Sequence, residues 1–194
     1  MDTRDKFIEA ALKLFAEKGF YGASMDHIAR EVGLTKQALI HHFRTKEKLY
    51  AAVLTRISAR LISELGLDHD SAEGDITTSF ADSIERIHQL VCDHPEDTQV
   101  LMRELLDNRR RAAGAGVWYL RPLLDGLQQR LAQEPAWREA DPLQIAAHVY
   151  QLLGAINYYA VSTTTLQNMY SAEVARDMQS AFPKQLRRLA NSNP

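Results

Sequence analysis

The chain has little of what disulfide-stapled, membrane-spanning or disordered proteins need. Of its 194 residues only Cys92 is a cysteine, so no disulfide can form within the chain. No apolar run approaches the roughly 20 residues that cross a bilayer. The first residues lack the basic start and apolar core of a signal peptide. Only 9 glycines and 6 prolines interrupt the sequence, which leaves room for long helices. We expect a cytoplasmic protein with no membrane partner.

The charge distribution is more informative than the total. The composition, 45% hydrophobic and 25% charged, is that of an ordinary folded protein, and the net charge of −2 does not favour a nucleic-acid partner. Residues 1–60, however, carry 11 basic and 7 acidic side chains, whereas the remaining residues carry 12 and 18. A basic N-terminal third on an acidic body is typical of a DNA-binding domain followed by a domain with another task.

The stretch from Ser24 to Lys46 predicts two short helices around a tight turn. Ser24 and Thr35 are good N-cap residues, because their hydroxyls accept unpaired N–H groups of a first helical turn. Gly33 stands where a chain leaving a helix often needs a positive φ. In the second helix Leu39 and Phe43 can face inward. This pattern is that of a helix-turn-helix.

The outward side of that second helix has the chemistry of a base reader. Lys36 and Gln37 are the best candidates, since Gln pairs bidentately with adenine and Lys reaches guanine acceptors in the major groove. His41 and His42 add further polar groups on the outside. The sequence therefore predicts contact with double-stranded DNA.

Helical periodicity continues to the end of the chain, and no stretch alternates convincingly as a strand. Residues 66–75 are polar and turn-rich, which indicates a loop. The helix predicted at about 142–162 is apolar on two sides, so it needs two partners. One partner is its own core, and we expect the other to be a second subunit, which Gly154 would allow to approach closely.

Residues 19–50 resemble the N-terminal part of the tetracycline-repressor (TetR/AcrR) family, through Gly19-Phe20, the helix with Ile28-Ala29, Gly33-Leu34-Thr35-Lys36, His42-Phe43 and Lys46-Glu47. The resemblance implies an all-α fold of about nine helices. A three-helix DNA-binding head would occupy residues 1–50, and a helical-bundle domain for effector binding and dimerisation would occupy residues 51–194. It also implies a homodimer that binds a palindromic operator, usually as a repressor, and is released by a small molecule.

The resemblance further implies a set of DNA contacts. The residues at matching positions that would touch bases or phosphates are Ser24, Thr35, Lys36, Gln37, Ala38, His41, His42 and, for a phosphate, Lys46. Two positions depart from the family pattern. Ile40 replaces an aromatic residue, commonly Tyr, whose hydroxyl contacts a phosphate, and Ala38 offers a base only a methyl group.

The resemblance also suggests where an effector and a second subunit bind. Candidate effector residues, which suit a largely apolar ligand, are Met102, Arg103, Leu106, Trp118, Tyr119, Tyr150 and Asn157. Candidate dimer residues are Leu152, Ile156, Tyr159, Met178 and Phe182. The alternative for the effector candidates is that most of them are core residues or dimer contacts.

Two other functions compete. Glu85-x-x-His88 has the spacing of a di-iron helix, but a metal-dependent bundle enzyme needs a second such motif, and the sequence has none. We therefore expect no metal and no cofactor. A scaffold that binds partners through its long helices would show no salt-dependent affinity for DNA.

Overall fold

The structure, a computed structural model, describes residues 2–67, 78–111 and 119–194. Its described residues form nine α-helices and one short 3₁₀ helix, and they contain no strand. The helices are α1 (Thr3–Gly22), α2 (Met25–Glu31), α3 (Lys36–Phe43), α4 (Lys46–Glu64), α5 (Phe80–Asp93), α6 (Pro95–Arg111), α7 (Arg121–Gln133), the 3₁₀ helix Pro135–Trp137, α8 (Pro142–Met169) and α9 (Ala172–Ala190). The predicted all-α class is confirmed.

Within the described residues, no helix combines the length and the apolar composition that crossing a bilayer requires.

The contacts divide the chain into two units, and the first contains the N-terminal helices. This first unit consists of Met1–Ala59 and Glu96–Tyr119. Its core is built from apolar side chains that are almost completely buried, namely Phe7, Phe15, Ile28, Leu39 and Leu49. Because α2 and α3 have only seven and eight residues, they are too short to be stable alone and depend on this core.

Gly19 interrupts α1 and turns the chain toward α2. Its backbone angles, φ 69° and ψ 174°, are non-helical and lie in a region that only glycine adopts without strain. Phe20, directly after it, stacks on Phe15 and meets the ring of Tyr50 edge-on, with centroids 6.1 and 5.1 Å away. The glycine therefore lets an aromatic cluster close the end of α1.

The second unit consists of Arg60–Pro95 and Leu120–Pro194. Within it, α5 packs on α8 and α9, and α7 packs on α8. The most deeply buried side chains include Phe80, Ile84, Leu127, Leu131, Val149 and Ile156. Two helices of the unit begin with capping boxes, one between Ser79 and Asp82 and one between Asp141 and Gln144. These boxes satisfy backbone donors that a helix start would otherwise leave unpaired.

One apolar side of α8 faces the core of its own subunit. Leu152 and Ile156, expected at a dimer interface, are 2% and 0% exposed in the core of their own subunit. Tyr159 and Phe182 stack on each other, with ring centroids 4.0 Å apart, and Met178 is half-buried. The opposite side of α8 is the one left exposed. Periodicity alone shows that a helix has two apolar sides, but not which side faces its own core.

Candidate nucleic-acid interface

The turn between α2 and α3 has the local geometry that the sequence predicts. The Ser24 hydroxyl accepts the His27 N–H at 3.1 Å, and the Thr35 hydroxyl accepts the Ala38 N–H at 3.2 Å. Gly33 has φ +70° and ends α2. Two capped helices joined at a left-handed glycine form a helix-turn-helix, so its second helix starts at a fixed residue.

One side of α3 is anchored and the other is free to enter a groove. Leu39 and Phe43 are 0% and 3% exposed, because they pack into the core of the first unit. Lys36, Gln37 and His41 are exposed. The helix therefore presents an ammonium, a primary amide and an imidazole outward from a rigid base, which is the arrangement that base reading in a major groove needs.

The remaining predicted contacts of α3 lie nearer its flanks. The His42 ring lies 5.7 Å from the ring of buried Phe7, although the side chain is still exposed. Ala38 is half-buried. Ile40, which replaces the family's aromatic residue, is 41% exposed and presents only an aliphatic surface. Its position can therefore make van der Waals contact with DNA but no hydrogen bond to a phosphate.

Arg44, which sequence reasoning missed, follows α3 in an unusual conformation. Its φ of 59° and ψ of −50°, with a hydrogen bond of 2.6 Å from the Thr45 N–H to the Phe43 carbonyl, make it the centre of a γ-turn of the rare, strained kind. Its side chain is exposed. The sequence did contain a signal for Arg44 as a DNA contact. It is a basic residue that lies between Phe43, the last buried residue of α3, and Thr45, which precedes α4.

Lys46 has a different environment from the one predicted. Its ammonium donates hydrogen bonds to the carbonyl oxygens of Phe20 and Ala23 at 2.8 and 3.0 Å. It also lies 4.5 Å from the centroid of the Phe20 ring. Two of the three ammonium donors are used inside the first unit, and the phosphate contact expected from the resemblance stays a prediction. Lys46 therefore caps the C-terminal end of α1, where a cation is favoured.

Arg103, expected to bind an effector, performs a similar task. Its Nε donates to the Ala16 carbonyl at 3.0 Å and its Nη2 to the Glu17 carbonyl at 3.1 Å. The last turn of α1 contains no basic residue of its own. The Arg103 guanidinium therefore binds backbone carbonyl oxygens of α1, and its predicted role in effector binding stays a prediction.

The other predicted effector residues have mixed surroundings. Met102, Tyr119 and Asn157 are half-buried. Leu106 and Tyr150 are 75% and 65% exposed. Trp118 lies outside the described residues. Strong exposure of an apolar side chain is more typical of a protein contact than of an enclosed ligand site, so Leu106 and Tyr150 lose support as effector residues.

The residues of the competing metal-enzyme hypothesis are engaged elsewhere. The Glu85 carboxylate accepts a hydrogen bond from Arg187 at 2.6 Å. The His88 ring lies against Phe182 and Tyr159, and burial lowers the pKa of His88. Among the described residues, no group of three potential metal ligands comes together.

Comparison with known sequences agrees with this geometry. Residues 7–53 match the family model described as bacterial regulatory proteins, tetR family. The transcriptional repressor NicS of Pseudomonas putida is 26% identical over 190 residues, which cover 89% of this chain and 82% of NicS. The transcriptional repressor AcnR of Corynebacterium efficiens is 36% identical over 70 residues, but these cover only 34% of this chain and 37% of AcnR. These relatives are regulators of transcription and not enzymes.

A solved structure extends the likeness to the whole fold. The transcriptional regulator FadR of Bacillus subtilis, in complex with stearoyl-CoA, superimposes with a TM-score of 0.68 at 16% identity. The match covers 98% of each chain. At this identity the likeness shows the fold alone.

Proposed function

Because this chain belongs to the tetR family of bacterial regulatory proteins, we propose that it represses transcription by binding a palindromic operator as a homodimer, and that a small, largely apolar effector releases it. In this proposal residues 1–50 read DNA, and residues 51–194 bind the effector and the second subunit. The observation that carries the DNA-binding part is the orientation of α3, with Leu39 and Phe43 buried while Lys36, Gln37 and His41 face outward.

An operator selected from random duplexes would test the DNA-binding part. We expect Lys36→Ala and Gln37→Ala to weaken operator binding by about 1–3 kcal/mol each and to relax base preference at one position per half-site. Gln129→Ala, which removes an exposed glutamine from α7, is the matched control and should bind as the parent does. Equal losses on operator and random DNA for Lys36 and Gln37 would refute their role as base readers.

The homodimer is supported by the exposed side of α8. Its large side chains Leu143, Tyr150, Tyr158 and Val161 are 79%, 65%, 72% and 44% exposed and recur at helical spacing. Such a continuous apolar stripe marks a protein contact. Gly154 lies in the middle of the stripe, and a Cβ there would meet nothing within 4 Å in the subunit.

Gly154 provides a test in which stability and association change in opposite directions. A glycine inside a helix costs about 1 kcal/mol relative to alanine, so Gly154→Ala should raise the stability of an isolated subunit. If a partner helix approaches closely at this point, the same methyl group should weaken the dimer. We expect sedimentation equilibrium to show a weaker dimer for Gly154→Ala than for the parent. Unchanged association together with higher stability would remove the stripe as the dimer contact.

The effector part of the proposal is supported by the likeness to FadR, which was solved with stearoyl-CoA. A long-chain acyl-CoA is therefore a rational first probe, alongside neutral apolar compounds. Release requires that the effector bind the DNA-incompetent state of the dimer more tightly than the competent state. Anisotropy of a labelled operator, titrated with each probe, should show displacement by at least one of them. A tight complex that no apolar compound disturbs would contradict effector control.

A further inference from the structure

The inference concerns His88 and Cys92, which lie one helical turn apart on α5 and whose donor atoms face each other. Residues four positions apart share one side of a helix. The Nε2 atom of His88 lies 3.9 Å from the Sγ atom of Cys92. Cys92 is exposed and His88 is half-buried, so the pair is open to solvent on one side. An imidazole nitrogen and a cysteine sulfur are typical protein ligands of Zn(II).

The separation of these two atoms is close to the one that a shared metal ion imposes. Zinc binds nitrogen at about 2.0–2.1 Å and sulfur at about 2.3 Å. With these bond lengths, two donors at a tetrahedral angle are about 3.6 Å apart, and a separation of 3.9 Å corresponds to an N–Zn–S angle of about 127°. A small rotation of either side chain is therefore sufficient, and α5 itself does not have to move. Without a metal, the contact contributes little to stability, because a thiol is only a weak hydrogen-bond donor.

The ring of His88 is held in position by aromatic side chains of α8 and α9. Its centroid lies 6.2 Å from that of Tyr159 and 5.5 Å from that of Phe182. The rings of Tyr159 and Phe182 stack on each other, with centroids 4.0 Å apart. A ligand whose orientation is already fixed by packing loses less freedom when it binds a metal ion, so these contacts favour binding.

The surroundings of Cys92 favour a metal ligand over a reactive thiol. Partial burial and the carboxylate of the adjacent Asp93 both raise the pKa of the Cys92 thiol. A reactive cysteine needs the opposite shift, because the thiolate is the nucleophile. A metal cation, in contrast, takes the place of the thiol proton and is attracted by the nearby carboxylate.

This pair differs from the di-iron hypothesis, in which Glu85 and His88 would bind a metal together. The Glu85 carboxylate accepts a hydrogen bond from Arg187, whereas the Nε2 atom of His88 faces Cys92. Within the part of the chain that the structure describes, no third His, Cys, Asp or Glu joins the pair. The other coordination positions of the ion are therefore left to water. Such a site exchanges its metal, unlike a structural zinc site with four protein ligands.

We propose that His88 and Cys92 form a two-ligand binding site for Zn(II) on the surface of the second unit. The site involves no residue of the helix-turn-helix, and the proposal does not depend on the proposed repressor function. It would hold equally for a chain that binds no DNA.

Calorimetric titration of the whole chain with Zn(II) alone tests the site. We expect one zinc ion to bind per chain. Cys92→Ser and His88→Gln should each weaken zinc binding at least about tenfold, because each variant keeps only one of the two ligands. His88→Phe keeps a ring against Tyr159 and Phe182 but has no nitrogen, so it should show the same loss. Circular dichroism checks that every variant keeps its helical content.

Alkylation by iodoacetamide provides a second measurement that separates a paired cysteine from a single one. Cys92 is the only cysteine of the chain, so the mass added by the reagent reports on this residue alone. Zn(II) should slow the alkylation of the parent chain but not that of His88→Gln or His88→Phe. A thiol that binds zinc without His88 would be protected equally in all three proteins, and that result would overturn the proposal.

His27→Gln is the matched control. His27 also lies four residues from a potential ligand, with its Nε2 atom 3.2 Å from Oε1 of Glu31. This variant should bind zinc as the parent does. If His27→Gln loses the ion while the His88 variants keep it, the metal binds on α2 and the assignment to α5 is wrong. A parent chain that binds no zinc overturns the proposal as well, whereas a failure to bind DNA affects only the proposed repressor function.

Discussion

Lys46 binds Phe20 in two ways, through a hydrogen bond of 2.8 Å from its ammonium to the Phe20 carbonyl and through a cation–π contact of 4.5 Å with the Phe20 ring. The two residues are 26 positions apart, at the start of α4 and near the end of α1. The contact therefore joins α4, which follows α3, to α1. A cation in the first turn of α4, unfavourable for the dipole of that helix, is favourable at the C-terminal end of α1.

This contact makes Lys46 a stability residue. We expect Lys46→Met, which keeps the aliphatic stem, to lower the free energy of unfolding by about 1–3 kcal/mol, because two carbonyl oxygens lose a charged donor. Urea unfolding measures the loss. Lys48→Met, an exposed lysine of the same turn, is the matched control and should change stability by less than about 0.5 kcal/mol. Unchanged stability for Lys46→Met, with a salt slope of DNA binding lowered by about one, would restore the phosphate contact instead.

Gly19 and Arg103 provide a second prediction at the end of α1. Gly19 has φ +69°, and a Cβ at this position would lie 3.2 Å from Nη1 of Arg103. We expect Gly19→Ala to cost about 1–3 kcal/mol of stability, because the backbone is strained for any residue with a side chain. Gly33→Ala separates the cost of the positive φ from the cost of the close contact with Arg103. Gly33 also has a positive φ, but a Cβ at its position would meet nothing within 4 Å.

A double-mutant cycle completes this test. In an Arg103→Met background the close contact is absent, so Gly19→Ala should cost less there than in the parent chain. Additive losses would mean that the guanidinium moves aside freely and contributes nothing to the cost of the substitution.

The parts of the site that the sequence predicted are those fixed by local chemistry. The caps at Ser24 and Thr35 and the left-handed turn at Gly33 each depend on residues within four positions, so a single sequence is sufficient to find them. Leu39 and Phe43 as the inward side of α3 follow from helical periodicity.

The parts that could not be predicted depend on distant partners. Lys46 and Arg103 look like solvent-facing cations in the sequence, and only their carbonyl acceptors on α1 show otherwise. For Arg103 these acceptors lie 87 positions away. The contacts likewise group Glu96–Tyr119 with Met1–Ala59, and the division at residue 50 that the resemblance implies stays a prediction. For α8 the difficulty was different, because two equally apolar sides left the choice between core and exposed surface to the packing of α5, α7 and α9.

His148 gives the second unit a pH-dependent stability. The centroid of its ring lies 4.6 Å from a ring centroid of Trp137 and 6.1 Å from that of Phe80. Its Nε2 is buried and has no hydrogen-bond partner. Burial lowers the pKa of His148, although a hydrogen bond that the ring donates to the backbone carbonyl oxygen of Leu189 opposes the shift. The unfolded chain therefore binds a proton more readily than the folded chain. Stability should fall as the pH drops through about 6.5, the usual pKa of histidine, toward the lower folded value.

The measurement compares free energies of unfolding at pH 7.5 and pH 5.5. We expect the parent to lose stability over this interval and His148→Leu to lose less, whatever its stability at pH 7.5. His88, whose pKa is also lowered by burial, contributes in the same direction. Combining His88→Leu with His148→Leu should therefore flatten the dependence further. Parallel pH profiles for the parent and His148→Leu would show that His148 protonates equally easily in both states.

The strained turn at Arg44 predicts opposite effects on stability and on DNA binding. Glycine adopts a positive φ without a steric penalty, so Arg44→Gly should relieve strain of about 1 kcal/mol and raise the urea midpoint. The same change removes an exposed cation directly after the recognition helix. We expect weaker operator binding and a salt slope smaller by about 0.9 for each subunit, as for the loss of one phosphate contact.

Arg44→Ala distinguishes the two effects, because it removes the cation but keeps a Cβ in the strained conformation. It should bind DNA as weakly as Arg44→Gly while gaining no stability. Backbone strain directly after α3 is consistent with a turn that positions a side chain for binding at a cost in stability. If Arg44→Gly proves more stable and binds DNA as well as the parent, the turn is strained for another reason and Arg44 is no part of the interface.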